Sequence, residues 1–233
     1  MILYLDKLKS AVSLQILNST QQLEHFCGGT LIQGGWIVTA SHCLMQIEYE
    51  KHEIFAEIGS TDLYRNPEAL IKVQDFYIRP LNQITFANDI ALIRLPLSYR
   101  DLISNIVLPM NPKDLSLYEE CFIVGYGSDH FLKDIIGSLR QASIEITLNE
   151  RCKNTLDPYG RDNNPGMFCA GGGTKDACQG DSGSGLICQN VLVGIVSYGS
   201  SCGVPGIPGV YTDIQYHMDW IELILVQCDA HAM

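Results

Sequence analysis

Apolar and polar residues alternate in short runs through the first half of the chain, and turn residues divide the runs. Val12, Leu14 and Ile16 alternate with Ser13 and Gln15, the period of a half-buried strand. The same reading predicts strands at Thr30–Gln33, Trp36–Thr39, Ile54–Ile58, Ile71–Ile78 and Ile90–Arg94, with turns at Gly34-Gly35, Asn66-Pro67 and Arg79-Pro80. Beyond the linker Leu108-Pro109-Met110-Asn111-Pro112 a second set is predicted at Cys121–Val124, Ser143–Thr147, Gly185–Cys188, Val191–Ser197 and Gly209–Thr212. So many short strands indicate an all-β closed or sandwiched architecture, and the pattern alone does not choose between barrel and sandwich. One helix is predicted, at the end of the chain. Ile214, Met218, Ile221 and Leu225 make its apolar stripe, Gln215, Asp219 and Glu222 its polar face, and Asp213 its N-cap.

Composition narrows the class. The 233 residues suffice for a full core, and 46% hydrophobic with 18% charged residues is a globular balance. A net charge of −11 with no basic run argues against a nucleic-acid partner. No run of about 18 apolar residues exists to span a membrane. Nine cysteines, none in the paired spacing of a zinc finger, indicate a disulfide framework from an oxidising compartment, hence an extracellular protein. The count is odd, so one cysteine is left without a partner in this chain. Met1 to Leu5 are apolar but Asp6 and Lys7 follow at once, too soon for a signal peptide, so further sequence upstream is expected. Asn18-Ser19-Thr20 is an N-glycosylation sequon in an expected hairpin loop.

The candidate chemistry centres on Asp176-Ala177-Cys178-Gln179-Gly180-Asp181-Ser182-Gly183-Ser184-Gly185. A serine hydroxyl becomes a nucleophile only with a base to take its proton and donors to hold the oxyanion. Glycines beside it allow a sharp turn and close approach of a substrate carbonyl to bare N–H groups. His42 follows an apolar strand end in WIVTASHC, next to a cysteine that can pin it. Asp89 stands at the mouth of the apolar run in NDIALIRL, where a charge is costly unless paired.

These three stretches, in this order, resemble the active-site signatures of trypsin-like serine proteases of the chymotrypsin family. HFCGGTLI, VGYG, MFCAGG, VSYGSSCG and PGVYTDI add to the resemblance, which runs from Val12 to Val226. A four-residue match such as GDSG arises by chance roughly once in 10⁵ positions, and three signatures in sequence compound that rarity. The resemblance implies two six-stranded antiparallel barrels, residues 1–108 and 109–233, with the site in the cleft between them and the helix at the end. It implies His42 as base, Asp89 as its orienting carboxylate, Ser182 as nucleophile, and the N–H groups of Gly180 and Ser182 as oxyanion hole, worth on the order of 3 kcal/mol per donor.

The same resemblance makes Asp176 the base of a substrate pocket for arginine or lysine. Gln179, Ser197, Tyr198, Gly199 and Gly209 would surround it, and Ser197 would also hold Asp89 from behind. It pairs Cys27 with Cys43, Cys121 with Cys188, Cys152 with Cys169 and Cys178 with Cys202, each contributing roughly 2–4 kcal/mol. Cys228 is left to bridge to an upstream segment, to bridge to another chain, or to stay free. The implied partners are protein or peptide substrates cleaved after Arg or Lys, and protein inhibitors. No cofactor and no metal are implied.

Three departures qualify the match. Met1-Ile2-Leu3-Tyr4 is not the activating terminus whose ammonium pairs, in the family, with the aspartate matching Asp181. His25 and Ser13 match the residues that hold that aspartate in dormant precursors. The sequence therefore predicts Asp181 turned toward His25 and Ser13, with a poorly formed oxyanion hole. Ser41 and Ser184-Gly185 are small replacements expected to be tolerated, and Ser60, across the loop from Glu68, stands where calcium-binding members carry a carboxylate, so no tight calcium site is expected. Two readings follow: a secreted serine endopeptidase made as a precursor, and a non-catalytic or zymogen-locked homologue that acts by binding.

Overall fold

The alternation of the first residues folds as an antiparallel ladder in the computed structural model, which describes residues 9–50, 53–63, 70–111, 113–130, 132–135, 137–148, 152, 155 and 165–230. Strand β1 (Ala11–Leu17) lies between β2 (Leu23–Ile32) and β4 (Ile54–Ile58). The sheet continues through β3 (Trp36–Thr39) and β7 (Ala91–Arg94), with β5 (Leu70–Lys72) at one edge and β6 (Asp75–Ile78) at the other. Only Val73 and Gln74 separate β5 from β6, yet one pairs with β4 and the other with β7. The predicted strand Ile71–Ile78 is therefore one bent strand whose two halves close the sheet on itself, the way a barrel removes its edges.

The second sheet repeats the device. Its order is β10 (Ile146–Thr147), β11 (Met167–Gly171), β14 (Pro208–Asp213), β13 (Val191–Tyr198), β12 (Gly185–Cys188), β8 (Cys121–Gly125) and β9 (Arg140–Ser143). The predicted strand Ser143–Thr147 spans the break between β9 and β10, which again sit on opposite edges. Each sheet has seven strands as numbered, and six when the bent pair is counted once, so the barrel, not the sandwich, is the architecture.

Two elements lie outside the sequence expectation. Helix α1 (Ser41–Glu50) follows β3 with Leu44 and Ile47 as the strongly buried apolar residues after Cys43 among the described side chains, too short a stripe to show as a period. Strand β2 begins at Leu23, well before the expected Thr30, because Cys27-Gly28-Gly29 breaks the alternation that sequence reading relies on. The expected turn Asn66-Pro67, Glu68 and the residues Met1 to Tyr4 lie outside the described residues.

Helix α2 (Met218–Ala230) forms as expected, entered through a 3-10 turn at Gln215–His217. Asp213 caps that turn by accepting the N–H of Gln215 at 2.9 Å and of Tyr216 at 3.4 Å. Ile214 and Ile221 are fully buried, and Cys228 extends their stripe inward. They join one apolar cluster that holds Leu14 and Ile93 of the first sheet together with Val124, Leu192 and Ile195 of the second. That shared core fixes the two sheets against each other and so fixes the cleft between them.

Replacing Ile221 with Ala should cost about 2–5 kcal/mol in urea unfolding, through lost burial and the cavity left behind. Leu223→Ala, on the exposed face of the same helix, should stay within about 0.5 kcal/mol of the parent.

Candidate active site

Strand pairing brings the first two candidates together. β3 pairs with β7 so that Thr39 faces Ala91, which puts the residues just after β3 beside those just before β7. His42 and Asp89 occupy those positions. Asp89 has no exposed surface, and its carboxylate oxygens are filled from three directions. Oδ1 accepts the backbone N–H of His42 at 2.9 Å, while Oδ2 accepts His42 Nδ1–H at 2.8 Å and the hydroxyl of Ser197 at 2.5 Å. Thr212 Oγ1 adds a bond to the Asp89 carbonyl at 2.9 Å. The carboxylate can only accept, so Nδ1 carries the imidazole proton and the Nε2 lone pair is left facing outward. Burial pulls the His42 pKa down, but the hydrogen bond and charge of Asp89 outweigh it and hold the group above its ordinary value. The disulfide Cys27–Cys43 ties the first turn of α1 to β2 and places Cys43 Sγ 3.7 Å from His42 Nε2.

The Ser182 turn is fastened to both sheets. Its carbonyl accepts Gly28 N–H of β2 at 2.7 Å, and the next residue, Gly183, donates to Val196 of β13 at 2.8 Å. Gly180 and Gly183 lie at φ +91 and +84, where an L side chain is strained, and a Cβ at Gly183 would meet Thr39 Oγ1 at 2.3 Å. The N–H groups of Gly180 and Ser182 donate to no other group among the described residues. No hydrogen bond within 3.5 Å joins Ser182 Oγ to His42 Nε2; such bonds are often long without substrate and tighten in the complex.

His42, Ser182 and Asp176 line one cavity of about 280 Å³, which Gln179, Ser197, Tyr198, Gly199 and Gly209 also line. Asp176 is half-buried there, accepting the N–H of Ala177 at 2.9 Å and of Gly203 at 3.3 Å. Burial raises its pKa to about 6 against those two N–H bonds, which hold it down. A Cβ at Gly209 would stand 3.5 Å from Asp176 Oδ1, so glycine there keeps the carboxylate reachable by a long side chain. The disulfide Cys178–Cys202 joins the two walls. Sequence reasoning missed Phe86, which lines the cavity with its ring 5.2 Å from that of Tyr198; its left-handed φ of 59 leaves no mark in the sequence beyond proximity to Asp89.

The expectation for Asp181 is corrected. Asp181 makes no hydrogen bond to His25 or Ser13; its Oδ1 accepts Gly127 N–H at 3.0 Å and its Oδ2 Cys178 N–H at 2.9 Å. His25 is already saturated, by Ser13 Oγ at Nδ1 and by the Gly180 carbonyl at Nε2, each at 2.8 Å. With both ring nitrogens engaged, the ring offers Asp181 nothing, and the Gly180 and Ser182 N–H groups stay available.

All four implied disulfides are present, with Cys121–Cys188 and Cys152–Cys169 completing the set. Cys228 is buried and forms no disulfide; its carbonyl accepts Arg94 Nη1–H at 2.8 Å and its thiol is hydrogen-bonded to the Tyr77 hydroxyl. The sulfurs of Cys27 and Cys43 cluster with His42, but as a disulfide they are not thiolate ligands. No described helix is long and apolar enough to cross a membrane.

The family model described as Trypsin matches residues 7–221. The chain is also 34% identical over 203 residues to a protein named Trypsin from Sarcophaga bullata, covering 86% of this chain and 79% of that one.

Buried Asp181 has no cationic partner among the described residues, and burial raises its pKa to about 6 in spite of its two N–H bonds. The folded state then holds the proton more tightly than the unfolded chain, whose ordinary value is 3.8. Stability is full below that value and falls as pH rises towards about 6, by an amount on the order of 3 kcal/mol. Asp181→Asn should remove this slope between about pH 4 and 6 in urea titrations, whatever its own offset in stability. Parallel profiles for the two proteins would contradict it.

Proposed function

As the chain belongs to the trypsin family of serine proteases, we propose that it is an endopeptidase that cleaves after arginine or lysine through an acyl-enzyme. One observation carries the reading. A histidine held at Nδ1 by a buried carboxylate, a serine on a glycine turn and a second, half-buried carboxylate come together at one cavity, which His42, Ser182 and Asp176 line.

In this reading Ser182 Oγ attacks the scissile carbonyl carbon while His42 Nε2 takes its proton. Asp89 keeps the ring in the required tautomer and stabilises the imidazolium that forms, and Ser197 and Thr212 keep Asp89 in place. The new oxyanion takes the N–H groups of Gly180 and Ser182. His42 then protonates the leaving amine, and the acyl-enzyme remains on Ser182. Water, deprotonated by the same imidazole, attacks the ester and frees the second product. Asp176 supplies the counter-charge for a substrate guanidinium or ammonium, and Gly199 and Gly209 leave the cavity long enough to admit it. Four disulfides support an oxidising, extracellular workplace. The non-catalytic reading gains nothing from the geometry, because Asp181 is not bound to His25 and Ser13.

The test uses peptide amides that differ only in the residue before the cleaved bond. Arginine and lysine amides should be hydrolysed and alanine or glutamate amides not, and Ser182→Ala should abolish turnover. Asp176→Ser should lower kcat/KM on the arginine amide by about two to three orders of magnitude, since the substrate cation loses its partner in a desolvated site. Equal turnover of apolar and basic amides would overturn the specificity, and no turnover of any amide would overturn the activity.

A further inference from the structure

Behind Gly180 runs a chain of buried polar side chains that the proposed mechanism does not use. Ser13, Gln15 and Glu57 are each at most 3% exposed and His25 is 8% exposed. Strand register assembles them. Ser13 and Gln15 share one face of β1, and Glu57 of β4 lies directly opposite Ser13. On the other side, the ladder to β2 shifts between Leu14 and Gln15, so that Leu14 pairs with Cys27 and Gln15 with His25. The extra residue, Phe26, brings the His25 side chain onto the face occupied by Ser13 and Gln15.

Every hydrogen bond in this chain has only one direction open to it. The Gly180 carbonyl can only accept, so His25 Nε2 carries the proton and donates at 2.8 Å. His25 Nδ1 is then an acceptor and takes the Ser13 hydroxyl at 2.8 Å. Ser13 Oγ, its proton spent, accepts one N–H of Gln15 at 3.0 Å, and Glu57 Oε2 accepts the other at 2.6 Å. Burial pushes His25 down to about 4, so the neutral ring that this order requires is the form present near neutral pH. Among the described residues Glu57 Oε1 has no partner, and the one hydrogen bond of the Glu57 side chain is that to Gln15. A carboxylate is retained in this dry place at a cost that core packing alone does not explain.

We propose that Gln15 and Glu57 are positioning residues for the oxyanion hole, acting through Ser13 and His25 on the carbonyl of Gly180. The inference rests on the reading of Ser182 as nucleophile and Gly180 as an oxyanion donor. Gly180 sits at φ +91, a conformation its neighbours must hold, and clamping its carbonyl fixes the peptide plane that follows its own N–H. Glu57 selects the Gln15 amide orientation, Gln15 leaves Ser13 only one way to donate, and Ser13 selects the His25 tautomer that can reach Gly180. Without Glu57 and Gln15 the direction of the Ser13 hydroxyl is no longer fixed, and the Gly180 carbonyl alone is left to hold the His25 tautomer and ring position.

The test pairs kinetics with two inhibitors of the full chain. Gln15→Met combined with Glu57→Met removes both partners at similar volume, so no orphaned charge is left to unfold the protein. Ser13→Ala interrupts the same chain by a smaller change, and Glu57→Gln keeps an acceptor facing Gln15. A peptidyl arginine aldehyde probes the oxyanion hole. Ser182 Oγ adds to its carbonyl carbon, the C=O becomes a hemiacetal oxygen between the Gly180 and Ser182 N–H groups, and His42 takes the serine proton. Benzamidine probes the Asp176 cavity alone.

The double variant and Ser13→Ala should each lower kcat about tenfold and weaken the aldehyde by the same factor, with KM and benzamidine affinity within about twofold of the parent. Glu57→Gln should keep kcat within about twofold. Unchanged kcat and aldehyde affinity in folded variants, or equal weakening of benzamidine and aldehyde, would overturn the inference and leave the proposed activity standing. A parent chain that neither turns over arginine amides nor binds the aldehyde would overturn both.

Discussion

A carboxylate cut off from water must have its lone pairs filled or lose its charge, and Asp89 meets that condition with three donors from two parts of the chain, two of them on His42. One comes from the backbone at the start of α1, one from the imidazole it orients, and one from β13 of the second sheet. Removing any of these leaves a buried charge short of a partner, so the geometry is over-determined. The two sheets are therefore joined at the site by the same group that sets the histidine tautomer, and their relative placement and the chemistry are one problem. The apolar cluster running from Leu14 through Ile195 to Ile221 supplies the rigidity that this bonding pattern presupposes.

The second constraint is the turn that carries Ser182. It is held by Gly28 and Val196 from opposite sides, tied by Cys178–Cys202, and bent at Gly180 and Gly183 through backbone conformations closed to other residues. Asp181 lies inside it with two backbone donors and no cation among the described residues. His25 turns its ring to Gly180 instead, so the face of the turn away from the cavity is supported by the first sheet. Ser182 and the N–H groups of Gly180 and Ser182 are thus placed by contacts from both sheets.

Much of this was legible in the sequence, and the rest was hidden for identifiable reasons. Val12 to Ile16, Trp36–Thr39 and Ile54–Ile58 were legible as strands, but the half-buried reading of the first did not hold, because Ser13 and Gln15 are buried as well as Val12 and Leu14. The stripe of the terminal helical segment is legible directly, because Ile214, just before the 3-10 turn, and Ile221 of α2 face a core while Glu222 faces water. The barrel was not readable from pattern, since closure depends on bends at Val73-Gln74 and Ile144-Glu145 that carry no local signal. Cysteine pairing and the grouping of His42, Asp89 and Ser182 are long-range facts, available beforehand only through resemblance. The Asp181 expectation went astray because sequence offers candidate partners without saying which are already engaged, and His25 is engaged at both nitrogens. Gln15 reads as an outward residue of an alternating strand, but its face, opposite that of Leu14, is buried toward the Gly180 turn of the second half together with Glu57.

The central claim is that buried Asp89 sets the state of His42, and that His42 in turn activates Ser182. Labelling of Ser182 by a fluorophosphonate, followed by mass spectrometry across pH, reads this without reference to any substrate preference. The account predicts a labelling rate that falls in acid with a midpoint above the ordinary imidazole value of about 6.5. In Asp89→Asn the rate should drop by about four orders of magnitude, as is typical of this triad. A rate independent of pH across that range, or one that survives the loss of the Asp89 charge, would contradict it.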